Sequence, residues 1–191
     1  MNAPKLLESS EQAELYLRGR ATLLAAWVHE SDGPMVAELE RRGYTVDTTT
    51  RAMGMALDEI AVPRPQIDLG PAGWAEYLKM DSLPPDFLSA ADHAAFHLLA
   101  AWADGEMVAA ALAYDCGGDC GIYNVGTLEH ARRRGLGTAL TAAQVHDARG
   151  RGCRTASLQS TPMAERVYAA TGFRDLGQIL EYGPPAPEGN P

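Results

Sequence analysis

The segment 132–138, RRRGLGT, is the feature that most constrains what this chain can fold into. The residues before it, 122–129 (IYNVGTLE), are rich in strand-forming types and predict a strand. The residues after it carry Leu136, Leu140 and Ala143 at helical spacing, which predicts a helix over about 135–149. A strand that leads into a helix through a glycine-containing turn is typical of α/β architecture.

This segment has the chemistry of an anion site. Gly135 and Gly137 lack a Cβ atom, so an anion can approach their backbone closely. The free N–H groups and the dipole of the following helix favour negative charge at the same place. The predicted binding residues are Arg132, Arg133, Arg134, Gly135, Leu136, Gly137 and Thr138. Neither GxxxxGK[ST] nor a complete GxGxxG is present, so two common phosphate motifs are excluded.

The charge of the chain is distributed unevenly. The net charge is −9, yet residues 131–154 hold six arginines and only one acid, Asp147. A basic segment in an acidic protein indicates a local anionic ligand. The acidic remainder disfavours nucleic acid as a partner and favours a cationic second substrate.

The composition predicts a reducing cellular compartment and argues against a metal site and a membrane segment. The three cysteines are too few for a disulfide scaffold, and we expect them to stay reduced in the cytoplasm. We expect no metal, because Cys116 and Cys120 have no third or fourth ligand nearby in the sequence. We also expect no signal peptide and no membrane span, since the longest apolar run is broken at residues 104–106.

Hydrophobic periodicity and turn residues predict the order of the elements. Helices are predicted at 9–18, 34–42, 71–80, 135–149 and 162–171, and strands at 22–28, 44–57, 96–103, 107–114, 122–129, 155–160 and 173–183. Residues 58–72 read as a linker because of their prolines. This order predicts a mixed α/β fold with a mostly antiparallel central sheet and flanking helices.

The chain contains a faint internal similarity. Residues 27–44 and 157–173 both run strand, turn, Pro-Met, helix and Gly-aromatic. We interpret 1–60 as a small, degenerate N-terminal copy of part of the main domain, 61–183, with 184–191 as a loose tail. The alternative is that any strand–helix–strand unit would show this pattern.

Two motifs together resemble a known family. The pattern Arg132-x-x-Gly135-x-Gly137 and the downstream segment 165–173, ERVYAATGF, are similar to motifs of the GNAT superfamily of acyl-CoA-dependent N-acyltransferases. Glu129 departs from the pattern, since many members have proline there. The N-terminal copy lacks the Arg-x-x-Gly-x-Gly pattern, so we expect one coenzyme A site.

The resemblance implies a particular site. A bulged strand, 122–129, diverges from strand 155–160, and the pantetheine arm of acetyl-CoA enters between them. The arm then contacts the backbone of Thr127, Leu128 and Glu129, while Ser160 or Thr161 touches its far side. Residues 132–138 hold the diphosphate.

The implied reaction is direct attack of an amine on the thioester in a ternary complex. Tyr168 is the candidate acid that protonates the leaving thiolate. We expect Met163, Val167 and Ala170 to form the apolar stripe of its helix, which leaves the Tyr168 hydroxyl free to face a cleft. An ordinary amphipathic tyrosine is the alternative. Several groups stay open as the general base, namely Glu129, Tyr123, Asn124, His97 and an ordered water.

Two functional classes follow. The first is an N-acetyltransferase that acts on a primary amine of a small molecule or a protein, with a cationic acceptor favoured by charge. The second is a non-catalytic acyl-CoA sensor or interaction module, in which the N-terminal copy makes the contacts of a homodimer. Residues 71–95 carry no acceptor signature, so polyamines, aminoglycosides, amino acids and protein N-termini all stay open.

Overall fold

The computed structural model of the chain describes residues 25–86 and 91–185. They form a mixed α/β fold in which most strand pairs are antiparallel, which confirms the predicted fold class. The chain divides into a large unit, 53–175, and a small unit whose described residues are 25–52 and 176–185. The helix predicted at 9–18 and most of the tail predicted at 184–191 lie outside the described residues.

The described residues contain eight strands and four α-helices. The strands are β1 (Ala26–His29), β2 (Thr45–Ala56), β3 (Leu69–Pro71), β4 (Phe96–Ala103), β5 (Glu106–Cys116), β6 (Asp119–Thr127), β7 (Thr155–Ser160) and β8 (Arg174–Gly183). The helices are α1 (Gly33–Arg41), α2 (Trp74–Met80), α3 (Leu136–Arg151) and α4 (Glu165–Ala170). None of these described helices is both long and apolar enough to cross a membrane.

The small unit orders its strands β1-β8-β2 and carries α1. The β1–β8 pairing is antiparallel and runs from Ala26↔Tyr182 to His29↔Ile179. Since most of β8 joins this unit, its boundaries differ from those at 60 and 183 in the sequence interpretation. The relation of this unit to a second domain copy stays a prediction.

The large unit orders its strands β2-β7-β6-β5-β4-β3, with β2 contributing its last residues. Strands β4, β5 and β6 form an antiparallel meander, in agreement with the predicted mostly antiparallel sheet, and β6 pairs with β7 in parallel. The predicted linker 58–72 contains β3, which pairs with β4. A three-residue strand made of Leu, Gly and Pro is too short to produce a periodic signal.

Helices cover both faces of the sheet in the large unit. On one face, Tyr77 and Leu78 of α2 pack against Leu98, Ala110 and Leu112. On the other face, α3 packs its Leu140 against alternate alanines of the same strands, Ala101, Ala109 and Ala111. The period of two along β4 and β5 therefore separates an α2 face from an α3 face.

Candidate active site

A bulge interrupts β6 at the middle of the sheet. The paired residues Ala110 and Leu112 lie two positions apart on β5, whereas their partners Gly126 and Tyr123 lie three positions apart on β6. The extra residue lies at Asn124, whose φ of 48° is unusual for a residue other than glycine. Such a bulge bends the strand and leaves part of its backbone without a ladder partner.

Beyond this bulge, β6 leaves its neighbour β7. The parallel pairing runs from Asp119↔Thr155 to Ile122↔Leu158, whereas β6 itself continues to Thr127. The two strands are therefore paired before the bulge and separate after it. The divergence of 122–129 from 155–160 that the resemblance implied is present.

A short loop joins the end of β6 to α3. A 3-10 turn, Glu129–Ala131, follows the strand. The Arg132 Nε donates to the Thr127 carbonyl at 3.2 Å, and the Arg134 guanidinium donates to the His130 carbonyl at 3.2 Å. Each bond uses one of the five N–H donors of a guanidinium, so both arginines keep donors for a ligand.

Helix α3 begins without a side-chain cap. Gly135 adopts a left-handed conformation, with φ of 76°, and accepts the first helical bond from the Ala139 N–H at 3.0 Å. The preceding N–H groups of the first turn, at 136–138, therefore point out of the helix start. A Cβ atom at Gly137 would lie 3.8 Å from the Val125 side chain, an ordinary contact. The fold does not require glycine at 137, whereas the close approach of an anion does explain it.

The arginines of this loop are exposed and without acidic partners. Among the described residues, no carboxylate lies in salt-bridge range of any arginine at 132–134. By contrast, Arg151 at the other end of α3 is held by Asp115 at 2.6 Å. Three positive charges beside an uncapped helix start, without a carboxylate partner in the described part of the chain, suit the binding of an anion.

Two predicted arm contacts fall at residues whose polar groups already have partners. The Leu128 N–H donates to the Val108 carbonyl at 2.9 Å, and the Leu128 carbonyl accepts from the Ala131 N–H at 2.9 Å. Ser160 is fully buried, and its hydroxyl donates to the Thr161 carbonyl at 2.9 Å. The contact of Ser160 or Thr161 with the far side of the arm stays a prediction. Thr127 and Glu129 lie at the predicted place, where β6 ends.

The predicted packing of Tyr168 is wrong. Tyr168 is 7% exposed and sits in the core with a T-shaped contact to Phe173, whereas Met163 is 87% exposed. The helix begins at Glu165 rather than at 162, because the preceding residues form a turn, so Met163 is not part of any helical stripe. Burial raises the pKa of the Tyr168 hydroxyl, which therefore stays protonated. Its role as the acid stays a prediction.

The base candidates from the sequence lie in different surroundings. His97 is on the α3 face, with Nε2 3.4 Å from the Asp115 carboxylate. Tyr123 is 50% exposed, and burial of its ring together with nearby Asp119 raises its pKa. Glu129 is exposed in the loop. Only Asn124 reaches another polar side chain at the bulge itself, since its amide donates to the Tyr77 hydroxyl at 2.9 Å.

Sequence reasoning missed the acidic group next to this bulge. Asp81 follows α2 and is hydrogen-bonded to Tyr77, and its Oδ1 would lie 3.2 Å from a Cβ atom placed on Gly126. The i,i+4 spacing of Tyr77 and Asp81 was a readable sign that they share one helix face. Their position against β6 depends on packing that the local sequence does not encode.

Comparison with known proteins agrees with this geometry. The profile of the Acetyltransferase (GNAT) family matches residues 59–173. A GCN5-related N-acetyltransferase from Kribbella flavida is similar in structure, with a TM-score of 0.72 and 21% identity over 93% of this chain and 74% of that one. One from Sphaerobacter thermophilus has a TM-score of 0.64 and 19% identity over 93% and 67%. No curated protein sequence matches the chain.

The chain therefore belongs to the Acetyltransferase (GNAT) family, because the family profile covers more than half of its length. Membership implies transfer of an acyl group from acyl-coenzyme A, for which members generally use acetyl-CoA. The bulged strand, the strand divergence and the uncapped helix start all lie within the matched residues.

Proposed function

We propose that this protein transfers an acetyl group from acetyl-CoA to a primary amine by direct attack in a ternary complex. The observation that carries the proposal is that β6 stops pairing with β7 after Ile122↔Leu158 and leads on to the uncapped start of α3. Three arginines that have no acidic partner among the described residues lie beside this helix start. This arrangement suits an extended arm that ends in a diphosphate.

Each part of acetyl-CoA has a matching part of the site. The diphosphate would bind the N–H groups at 136–138 and the guanidinium groups at 132–134, which supply charge-assisted hydrogen bonds. The pantetheine arm would lie between the diverging strands, along the backbone of Thr127 and Glu129. The thioester would then reach the bulge at Asn124, where β6 has backbone groups outside the ladder.

The chemistry needs a stabilised oxyanion and a protonated leaving group. Backbone N–H groups at the bulge suit the oxyanion of the tetrahedral intermediate. A thiol has a pKa of about 8.5, so a neutral phenol can protonate the departing thiolate at modest cost. Tyr168 supplies that phenol. No enzyme nucleophile is required, because the amine attacks the thioester directly.

The acceptor is an amine, and the acidity of the chain favours one with positive charge. With a net charge of −9, the protein attracts cations over most of its surface outside the basic segment. Polyamines and aminoglycosides therefore rank before neutral amines as candidates.

Thiol release from acetyl-CoA with a panel of amines tests this proposal. The panel contains spermidine, kanamycin, glycinamide and a peptide with a free N-terminus, and the acetylated product is identified by mass spectrometry. We expect amine-dependent thiol release and a matching acetylated product with at least one cationic amine. The reaction without amine measures background hydrolysis.

The alternative function, a non-catalytic acyl-CoA sensor, predicts binding without transfer. A protein that binds acetyl-CoA by calorimetry and acetylates none of these amines would instead be a sensor or interaction module. A protein that fails to bind acetyl-CoA contradicts both functions.

A further inference from the structure

The bulge in β6 is tied to helix α2 by side chains. The Asn124 Nδ2 donates to the Tyr77 hydroxyl oxygen at 2.9 Å. Tyr77 is fully buried, and it belongs to the cluster that fixes α2 on the sheet. The residue that creates the bulge therefore also orients a buried phenol.

The Tyr77 hydroxyl accepts one hydrogen bond and keeps its proton to donate another. Burial raises the pKa of Tyr77 to about 12, so its hydroxyl keeps its proton at neutral pH. Since its oxygen accepts from Asn124, its O–H is left to donate toward the nearby Asp81 carboxylate, and this interaction lowers the pKa of that carboxyl. Asn124 and Tyr77 are thereby placed to orient the Asp81 carboxylate.

The carboxylate of Asp81 lies against the part of β6 that has left β7. A Cβ atom on Gly126 would meet the Asp81 Oδ1 at 3.2 Å, so glycine at this position makes room for the carboxylate. Gly126 lies just after the bulge, on the stretch of β6 beyond its pairing with β7. Asp81 is half-buried, and this desolvation raises its pKa while the Tyr77 hydrogen bond lowers it.

We propose that Asp81 is the general base of the acetyl transfer, with Tyr77 and Asn124 as positioning residues. This inference rests on the function proposed above. The Asp81 carboxylate first takes a proton from the acceptor ammonium and releases it to solvent, which frees the lone pair of the nitrogen. The neutral amine then forms the N–C bond to the thioester carbon, and Asp81 takes the second proton from this nitrogen. The C–S bond then breaks, the thiolate takes a proton from Tyr168, and both residues re-equilibrate with solvent. The balance is ammonium plus acetyl-CoA to amide, free coenzyme A and one proton.

Few titratable groups surround Asp81 in the described part of the chain. Among the described residues, Tyr77 is the titratable group that acts on Asp81. Strands β5 and β6 face α2 with uncharged residues, among them Ala110, Leu112 and Asn124. An acidic limb in the pH profile can therefore be assigned to a single carboxylate whose pKa is above its usual range.

Three variants test the assignment with the most active amine of the panel above. D81N should lower kcat/KM for the amine by about 100-fold or more and remove the acidic limb of its pH profile, while the acetyl-CoA affinity stays unchanged. Y77F removes the hydrogen bond that lowers the pKa of Asp81, so its acidic limb should move to higher pH. Glu76 is exposed on the same helix, and E76Q is the matched control that should behave as wild type.

Each outcome decides the proposal. A D81N protein with the wild-type rate and limb overturns the assignment of the base and leaves the acetyltransferase function standing. A wild-type protein that binds acetyl-CoA and acetylates nothing overturns the function and the base together. If D81N does not fold, the Y77F profile decides alone, because a purely structural role for Asp81 would leave the position of its acidic limb unchanged.

Discussion

The two ends of Tyr168 have different roles in this account. Its ring packs in the core against Phe173, and its hydroxyl is the proposed proton donor. Burial raises the pKa of the hydroxyl, so the phenol stays neutral throughout the pH range in which an amine can attack. The neutral phenol is the form that can donate a proton to a departing thiolate.

We expect Tyr168→Phe to reduce turnover by about 100-fold, because it removes the proton donor and keeps the ring. The acetyl-CoA affinity should stay close to that of wild type, since the hydroxyl acts on the leaving thiolate. Steady-state kinetics and calorimetry measure the two quantities separately.

Tyr182→Phe is the matched control for this substitution. Tyr182 is a buried tyrosine of the small unit whose hydroxyl contacts Glu40 at 3.4 Å. Its loss should leave turnover intact. Equal turnover in Tyr168→Phe and Tyr182→Phe would remove Tyr168 from the mechanism.

Candidate site residues that are neighbours in the sequence could be proposed from the sequence, whereas residues brought together by packing could not. Arg132, Gly135 and Gly137 are readable because a loop and a helix start are encoded by neighbouring residues. Asp81 is close to Gly126 only after α2 packs on the sheet, which no local pattern encodes. The burial of Tyr168 was misjudged because Met163, which was taken to mark the apolar stripe, lies before the helix and is exposed.

The start of α3 combines two glycines with different physical reasons. Gly135 has φ of 76°, a conformation that costs other residues about 1 kcal/mol or more. Gly137 sits in helical backbone with space for a methyl group. The backbone conformation favours glycine at the first position, whereas at the second position the proposed ligand supplies the reason for glycine.

We therefore expect Gly135→Ala and Gly137→Ala to separate stability from binding. Gly135→Ala should lower the free energy of unfolding by about 1 kcal/mol or more. Gly137→Ala should keep or raise the free energy of unfolding, because alanine favours a helix by up to about 1 kcal/mol. It should nevertheless weaken acetyl-CoA binding, since the new methyl group faces the diphosphate. Urea unfolding and calorimetry give both numbers.

A Gly137→Ala protein with wild-type acetyl-CoA affinity would place the diphosphate away from this helix start. A stability loss in Gly137→Ala as large as in Gly135→Ala would show that both glycines serve the fold alone.

At the scale of elements, long periodic segments were predictable. Strands β4 and β7 begin and end where the sequence predicted, and α2 lies within its predicted range. The bulge in β6 was expected only through the family resemblance, because it arises from pairing with β5 rather than from a pattern within β6. Strand β3 was missed because its order comes from pairing with β4.

Over the whole molecule, the charge is unevenly distributed. The segment 131–154 carries six arginines and one acid within a chain of net charge −9. This distribution is the basis for proposing an anionic cosubstrate and a cationic acceptor. The composition did not predict that β8 returns to the small unit, because chain order alone does not show which strands will pair.

The proposed function depends on binding of the acetyl-CoA diphosphate by the loop at 132–138. Calorimetric titration of acetyl-CoA into two charge-reversed proteins tests this claim most directly. One carries Arg133→Glu and Arg134→Glu, and the control carries Arg149→Glu and Arg154→Glu in the same basic segment. Both proteins change their net charge equally, so the comparison separates local contact from the general field.

We expect the Arg133→Glu, Arg134→Glu substitutions to raise the acetyl-CoA Kd by about an order of magnitude or more, while the control substitutions change it little. A Kd that is equal in the two proteins, or unchanged from wild type in both, would contradict the claim that this loop holds the cosubstrate.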